Sequence, residues 1–271
     1  MYFTSLHFHF VTADGKPVRW PIQLHVLRGL FMNAVASVKP SLASRLHDGQ
    51  AMSDFSTRLH VDGDSIHVTY NLFSDELNEA LRDFILQRDD LHFMIGRIET
   101  LLVKVGVERV HVGDLIDDAR PVERARIVFK TPTFFKSGGT VILFPQPEIL
   151  FKHLAHSWNE LLGGAGLPID ELALAAWVKE HVRISAYRLE TASVSIGGGD
   201  RVNTGFKGWA TFIIKKDDAL NEWPVVLDRL LRFAEHANVG GGRNTGLGAV
   251  VCQPRHARAS DRSSDEVAGN T

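Results

Sequence analysis

Gly240-Gly241-Gly242-Arg243-Asn244-Thr245-Gly246-Leu247-Gly248 is the run whose surroundings decide the fold. It has no Gly-Lys-Ser/Thr ending, so it is not a Walker loop, and it lies far from any first strand, where a dinucleotide GxGxxG would sit. Nucleotide-driven chemistry is thereby disfavoured. Before the run, Trp223 to Ala237 has helical spacing; after it, Leu247 to Cys252 is apolar and strand-like. Further upstream, Val182 to Ser195 and Thr204 to Ile214 read as two strands across a glycine-rich connection. Glu148 to Leu162 reads as a helix and Arg124 to Thr131 as a strand. Strand, helix, strand, strand, helix, strand is the split βαβ or ferredoxin-like order. Two insertions interrupt it, Thr140 to Phe144 and a helix expected from Ile169 to Glu180.

The same order precedes it. Tyr2 to Val11 alternates as a strand does, and Leu24, Leu27, Leu30, Phe31, Ala34, Val35 and Val38 recur at helical spacing. A short helical piece from Ser41 to Leu46 stops at His47-Asp48-Gly49, since glycine suits the left-handed turn that ends helices. Met52 to Val61 and Ser65 to Phe73 form a hairpin about Asp62-Gly63-Asp64. Ser74 caps a helix with Asp75 and Glu76 in its first turn, and Leu91 to Ile98 with Leu102 to Val107 supply closing strand material. The expected class is α+β, two tandem ferredoxin-like (RRM-like, βαββαβ) domains at 1–118 and 119–253. The boundary falls in the charged, proline-containing stretch Asp117 to Pro121. Residues 254–271 are polar and aperiodic, which predicts a disordered tail.

Composition narrows the function. The 271 residues carry a formal charge of −2, so any surface for nucleic acid must be local. One cysteine, Cys252, excludes an internal disulfide and suits a reducing cytoplasm. Neither a signal peptide nor a membrane-spanning apolar run is present, so a soluble cytoplasmic protein with no membrane partner is expected.

Two readings of the glycine run stand side by side. It can expose backbone N–H groups and admit a phosphate or RNA strand, with Arg243 as a planar cationic fork; or it can be a helix-to-strand turn. Phe134-Phe135 could stack bases or pack inward. His153 and His156, at i and i+3, could meet a metal, but neither an HExxH pattern nor a cysteine pair accompanies them. His47-Asp48 matches the HD pair of metal phosphohydrolases, yet those domains are all-helical and this chain is strand-rich.

In composition, position and flanking elements, the run resembles the glycine loop of the repeat-associated RNA-binding superfamily. Leu27-Arg28-Gly29-Leu30-Phe31-Met32-Asn33 through Leu46-His47-Asp48 is similar to the first helix and following histidine of the CRISPR-associated repeat endoribonucleases in that superfamily. Asn203-Thr204-Gly205-Phe206-Lys207-Gly208-Trp209-Ala210-Thr211-Phe212 is similar to their Gly-Phe-x-Gly strand. The resemblance implies a metal-independent endoribonuclease that needs no cofactor and uses the RNA's own 2′-hydroxyl. It implies a catalytic role for His47, because a group titrating near neutrality can manage the protons. For RNA binding it implies Gly240, Gly241, Gly242, Arg243, Asn244, Thr245, Gly246 and Gly248, with Lys207, Arg201 and Arg45. The tyrosine some relatives place in the first helix and the lysine after the histidine are absent, leaving Arg45 or Lys39 to stabilise charge. The partners implied are CRISPR repeat RNA, other CRISPR effector subunits, and a second copy in a homodimer. The competing reading is a non-catalytic RNA-binding subunit of an effector complex.

Overall fold

Alternation along Tyr2–Thr12 (β1) turns Leu6, Phe8 and Phe10 into a core and leaves Ser5, His7 and His9 on the other face. A computed structural model describes residues 1–19, 21–47, 54–163, 167–195, 202–215 and 222–256. β1 is the middle strand of an antiparallel sheet ordered β2-β3-β1-β5-β4, with β2 at Phe55–Asp62, β3 at Ser65–Leu72, β4 at His92–Ile95 and β5 at Ile98–His111. Two helices cover its Leu6 face, α1 (Leu24–Val38) and α3 (Asp75–Leu86), burying Leu27, Phe31, Val35, Leu77 and Leu81 against Ile66 and Val68. Between them lies α2 (Pro40–His47). Ser74 stands at the N-cap of α3 without a side-chain bond, so the acidic first turn, Asp75 and Glu76, is what favours that helix end.

The closing strand material is a hairpin rather than one strand. His92–Ile95 pairs with Ile98–Thr100 and Leu101 about Gly96, whose φ is 67°. The first sheet therefore has a fifth, edge strand beyond the ferredoxin-like four.

A short helix, α4 (Val112–Asp117), leads into the second sheet, ordered β11-β6-β10-β9, with β6 at Val122–Thr133, β9 at Val182–Ser195, β10 at Val202–Ile214 and β11 at Val250–His256. A small hairpin, β7 (Phe135–Ser137) and β8 (Thr140–Ile142), fills the first insertion, and Phe134 and Phe135 both pack inward. The helices are α5 (Pro147–Leu162), α6 (Glu171–His181) and α7 (Trp223–Ala237). α6 is the second insertion, started by Asp170, which accepts from the N–H groups of Leu172 and Ala173 at 3.0 Å. Trp158, Phe151, Leu230 and Phe233 form the second core, and Phe3, Phe73, Val112 and Leu115 reach into it from the first half.

Residues 254–256, expected to open the tail, belong to the last strand. Pro254, Arg255 and His256 pair with β6, and an edge strand tolerates the proline because its missing N–H faces no partner. His256 Nε2 lies 2.9 Å from Asp228 Oδ1, while Asp228 Oδ2 accepts from the Arg120 N–H at 3.0 Å and Arg232 Nε at 3.1 Å. This buried carboxylate ties the segment between the sheets to α7 and the last strand. Residues 257–271 of the expected tail lie outside the described residues. Among the described residues, no helix is long and apolar enough to cross a membrane.

Candidate RNA-processing site

The glycine run connects α7 to β11 and also joins the two sheets. Asn238 leaves α7 at φ 61°, and its Nδ2 donates to the carbonyls of Thr57 (2.9 Å) and Leu247 (3.2 Å). Thr57 of β2 donates to the Asn244 carbonyl at 3.0 Å. Asn71 and Ser56 both donate to the His236 carbonyl, the first at 2.7 Å, and Arg58 donates to that of Ala234 at 3.3 Å. Polar side chains of β2 and β3 thus grip the backbone at the end of α7 and in the loop.

Two loop glycines are required by close approach. At Gly240 (φ 79°) a Cβ would sit 2.2 Å from the Phe134 carbonyl oxygen, and at Gly248 (φ 70°) 1.8 Å from that of Val239. The N–H groups are largely spent within the protein: Gly241 on Phe134, Thr245 and Leu247 on Gly242, Gly246 on Arg243, Gly248 on Pro132. The expectation that this run offers its N–H groups outward is corrected for those five positions. Gly240, Gly246 and Gly248 are buried, while Gly241, Gly242, Asn244 and Thr245 are partly exposed.

Arg243 also departs from expectation. It is 6% exposed and donates through Nη1 to the Ala237 carbonyl at 3.2 Å, so it is an inward-facing cation. Burial lowers its guanidinium to about 10, with the Asp54 carboxylate opposing the shift. Burial raises the Asp54 carboxyl above its ordinary value, against the fields of Arg243 and Arg45. Asp54, at the entrance to β2, therefore feels both the loop's arginine and the arginine of α2. No spacing rule singles it out in the sequence, because the carboxylate and Arg243 are 189 positions apart.

Arg45 and His47 occupy the last turn of α2, both exposed. Arg45 is paired with Glu76 of α3, and Lys39 with Glu79 at 3.0 Å; exposed pairs of this kind contribute about 1 kcal/mol or less. They fix the helix pair loosely and leave the cations available. Lys207 is half-buried on β10, opposite Glu190. Arg201, Asp48 and Gly49 lie outside the described residues.

His153 and His156 do not converge. His156 Nδ1 is 3.1 Å from a Glu171 oxygen, whereas the His153 ring stands edge-on to Phe135. Among the described residues, no group of three His, Cys, Asp or Glu side chains is arranged to hold a metal ion. Burial lowers His153 to about 4, helped by the charges of Arg243 and His156. Burial and Arg58 lower His236, packed on Phe3 at the joint, to about 4 as well.

These two neutral imidazoles set an acid limit. Between the unfolded value of 6.5 and about 4, the unfolded chain holds protons that the folded one does not, so stability falls as pH drops through that window. Each site contributes a loss of up to roughly 3 kcal/mol. Melting temperature should fall between pH 7 and pH 5, and His236→Leu should flatten that slope. A pH-independent melting temperature over this range, or a slope untouched by the substitution, contradicts the assignment.

Residues 127–250 match the model of the family described as CRISPR-associated endoribonuclease Cas6. Over 137 residues the chain is 34% identical to a CRISPR-associated endoribonuclease Cas6 of Mycobacterium tuberculosis, covering 50% of this chain and 41% of that protein. Over 162 residues it is 28% identical to the Streptococcus thermophilus protein of the same name, covering 57% and 64%. The matches thus span about half the length of these curated relatives. In fold, the chain is similar to a Cas6 product complex (TM-score 0.74, 22% identity, 93% of this chain and 100% of that one). It is also similar to Thermus thermophilus Cas6 (TM-score 0.71, 21% identity, 93% and 98%).

Proposed function

We propose that this relative of the CRISPR-associated endoribonucleases cuts precursor CRISPR repeat RNA, with His47 as its catalytic residue and no metal ion in the reaction. The observation that carries the reading is that β2 holds the glycine loop, Thr57 donating to the Asn244 carbonyl, while Asp54 at the entrance to β2 lies in the fields of both Arg243 and Arg45. On this reading the exposed His47 and Arg45 at the end of α2 and the partly exposed Gly241, Gly242, Asn244 and Thr245 would form one region served by both sheets.

In this region the RNA supplies its own nucleophile. The 2′-hydroxyl gives up its proton and attacks the adjacent phosphorus, the bond to the 5′-oxygen breaks, and that oxygen takes up a proton. The products are a 2′,3′-cyclic phosphate and a 5′-hydroxyl, with no water consumed in the step. His47 would move the proton at one of the two oxygens, since imidazole titrates near neutral pH. Arg45 would offset the charge building on the phosphate. Arg243, being buried, would act from within by holding the loop and countering Asp54, which revises its expected part as a direct phosphate ligand.

Incubating the purified protein with repeat RNA in excess EDTA tests the chemistry. Cleavage should proceed at the rate seen without chelator. Activity abolished by EDTA and restored by a divalent ion would sink the metal-free mechanism; tight binding with no cleavage under any condition would favour a non-catalytic RNA-binding subunit.

A further inference from the structure

A groove opens beside α1, where the chain turns from β1 into that helix. Its two parts, of about 390 and 680 Å³, meet at Arg97 and Ile98 of the β4–β5 hairpin. Both walls are held in place. On one side the Ala13 N–H donates to the Glu99 carbonyl and the Val18 N–H to the Gly63 carbonyl, each at 2.9 Å, while Thr12 Oγ1 donates to the Lys16 carbonyl at 2.8 Å. On the other the hairpin tip leans on α1, so that a Cβ at Gly96 would stand 3.7 Å from Val26 Cγ2. A groove held open in this way asks for little ordering of its own residues when it is filled.

The larger part is mainly aliphatic, lined by Pro21, Ile22, Val26, Ile95 and Ile98. The smaller part is charged. Asp14 lies 3.2 Å from Lys16, and Glu99 lies 3.7 Å from the His92 ring, so each carboxylate has a neighbour. Arg19 and Arg97 are exposed, and among the described residues they have neither an ion pair nor a hydrogen bond. Two free guanidinium groups beside an aliphatic trough fit a chain that carries carboxylates next to apolar side chains. Nucleic acid fits less well. Its unpaired bases stack on aromatic rings, and among the described residues no aromatic side chain lines the groove.

We propose that this groove docks an acidic, aliphatic segment of a partner protein, with carboxylates on Arg19 and Arg97 and an apolar side chain among Ile22, Val26 and Ile98. His47, Arg45 and the glycine loop do not line it, so the inference stands apart from the RNA-processing reading.

A random peptide library displayed on phage is panned against the unsubstituted full-length protein, and the recovered peptides are then synthesised and titrated by fluorescence anisotropy. Recovered sequences should place aspartate or glutamate beside leucine, isoleucine or valine. Arg97→Glu should weaken such a peptide by about 10-fold or more, the scale of an interfacial arginine, and Ile22→Gln should weaken it as well. Both arginines are exposed, so their replacement should leave the melting temperature unchanged; Arg19→Glu serves should Arg97→Glu lower it. Affinity for an unstructured oligoribonucleotide should be the same in all variants. Recovery of no peptide, recovery of peptides without carboxylates, or equal binding to the folded arginine variants overturns the proposal. Loss of oligoribonucleotide affinity in those variants, with peptide binding intact, overturns it too and assigns the groove to nucleic acid.

Discussion

His47→Ala is expected to slow single-turnover cleavage by about 10²- to 10⁴-fold, the usual contribution of a positioned general acid or base, or roughly 3 to 5 kcal/mol of barrier. RNA affinity should barely change, because the side chain is exposed at the end of α2 and no described contact depends on it. Stability should be equally indifferent. The comparison that isolates the chemistry uses a substrate with a 2′-deoxy sugar at the cut site. It should bind the unsubstituted protein normally and stay intact, since the attacking oxygen is gone. A near-normal rate for His47→Ala moves the proton transfer to another residue. Cleavage of the deoxy substrate makes water the nucleophile and removes the proposed mechanism altogether.

The second large effect is structural. Gly248→Ala should lower unfolding stability by about 3 to 5 kcal/mol, because two costs coincide. The left-handed backbone at φ 70° penalises any side chain, and the new Cβ would fall 1.8 Å from the Val239 carbonyl oxygen. That contact cannot relax without disturbing the bonds of Val239 to Gly248 and of Gly248 to Pro132. Gly139→Ala supplies the control. It shares the backbone conformation, at φ 79°, but meets nothing within 4 Å, so it should cost only about 1 to 2 kcal/mol. Urea unfolding of the two variants separates the costs. Equal midpoints would mean that the loop yields where the packing says it cannot.

Much of this architecture could be read from the amino acids. Tyr2–Thr12 and Val122–Thr133 alternate cleanly, and α1, α5 and α7 carry apolar stripes, because each buries one face. What escaped depended on distant partners or on short elements. His92–Ile95 is four residues long, and its turn has Gly96 alone as a marker. Pro254, Arg255 and His256 look like a tail because an edge strand with an open face is polar there. Pairing with β6 and the contact with Asp228 of α7, distant in the chain, are what make His256 part of the fold. In the candidate site, His47 and the glycine run were recognisable by their resemblance to family motifs. The inward turn of Arg243 was not, since a charged residue in a glycine loop reads as exposed, and its partner, the carbonyl of Ala237, is not marked by any motif.

The joint between the sheets also bears on how such a protein can change over evolutionary time. At that joint, Ser56, Arg58, Asn71 and Asn238 supply side chains, whereas Thr57, Ala234, His236 and Leu247 supply main-chain carbonyls. A carbonyl survives replacement of its residue, but an amide or hydroxyl side chain does not. The bonds made by Ser56, Arg58 and Asn71 are thus lost when those residues are replaced, whereas the carbonyls of positions 234 and 236 persist, although burial of Ala234 and the packing of His236 on Phe3 limit what side chains can stand there. The mutual orientation of the two sheets therefore rests on a few polar side chains of β2 and β3 more than on the identity of the residues that end α7.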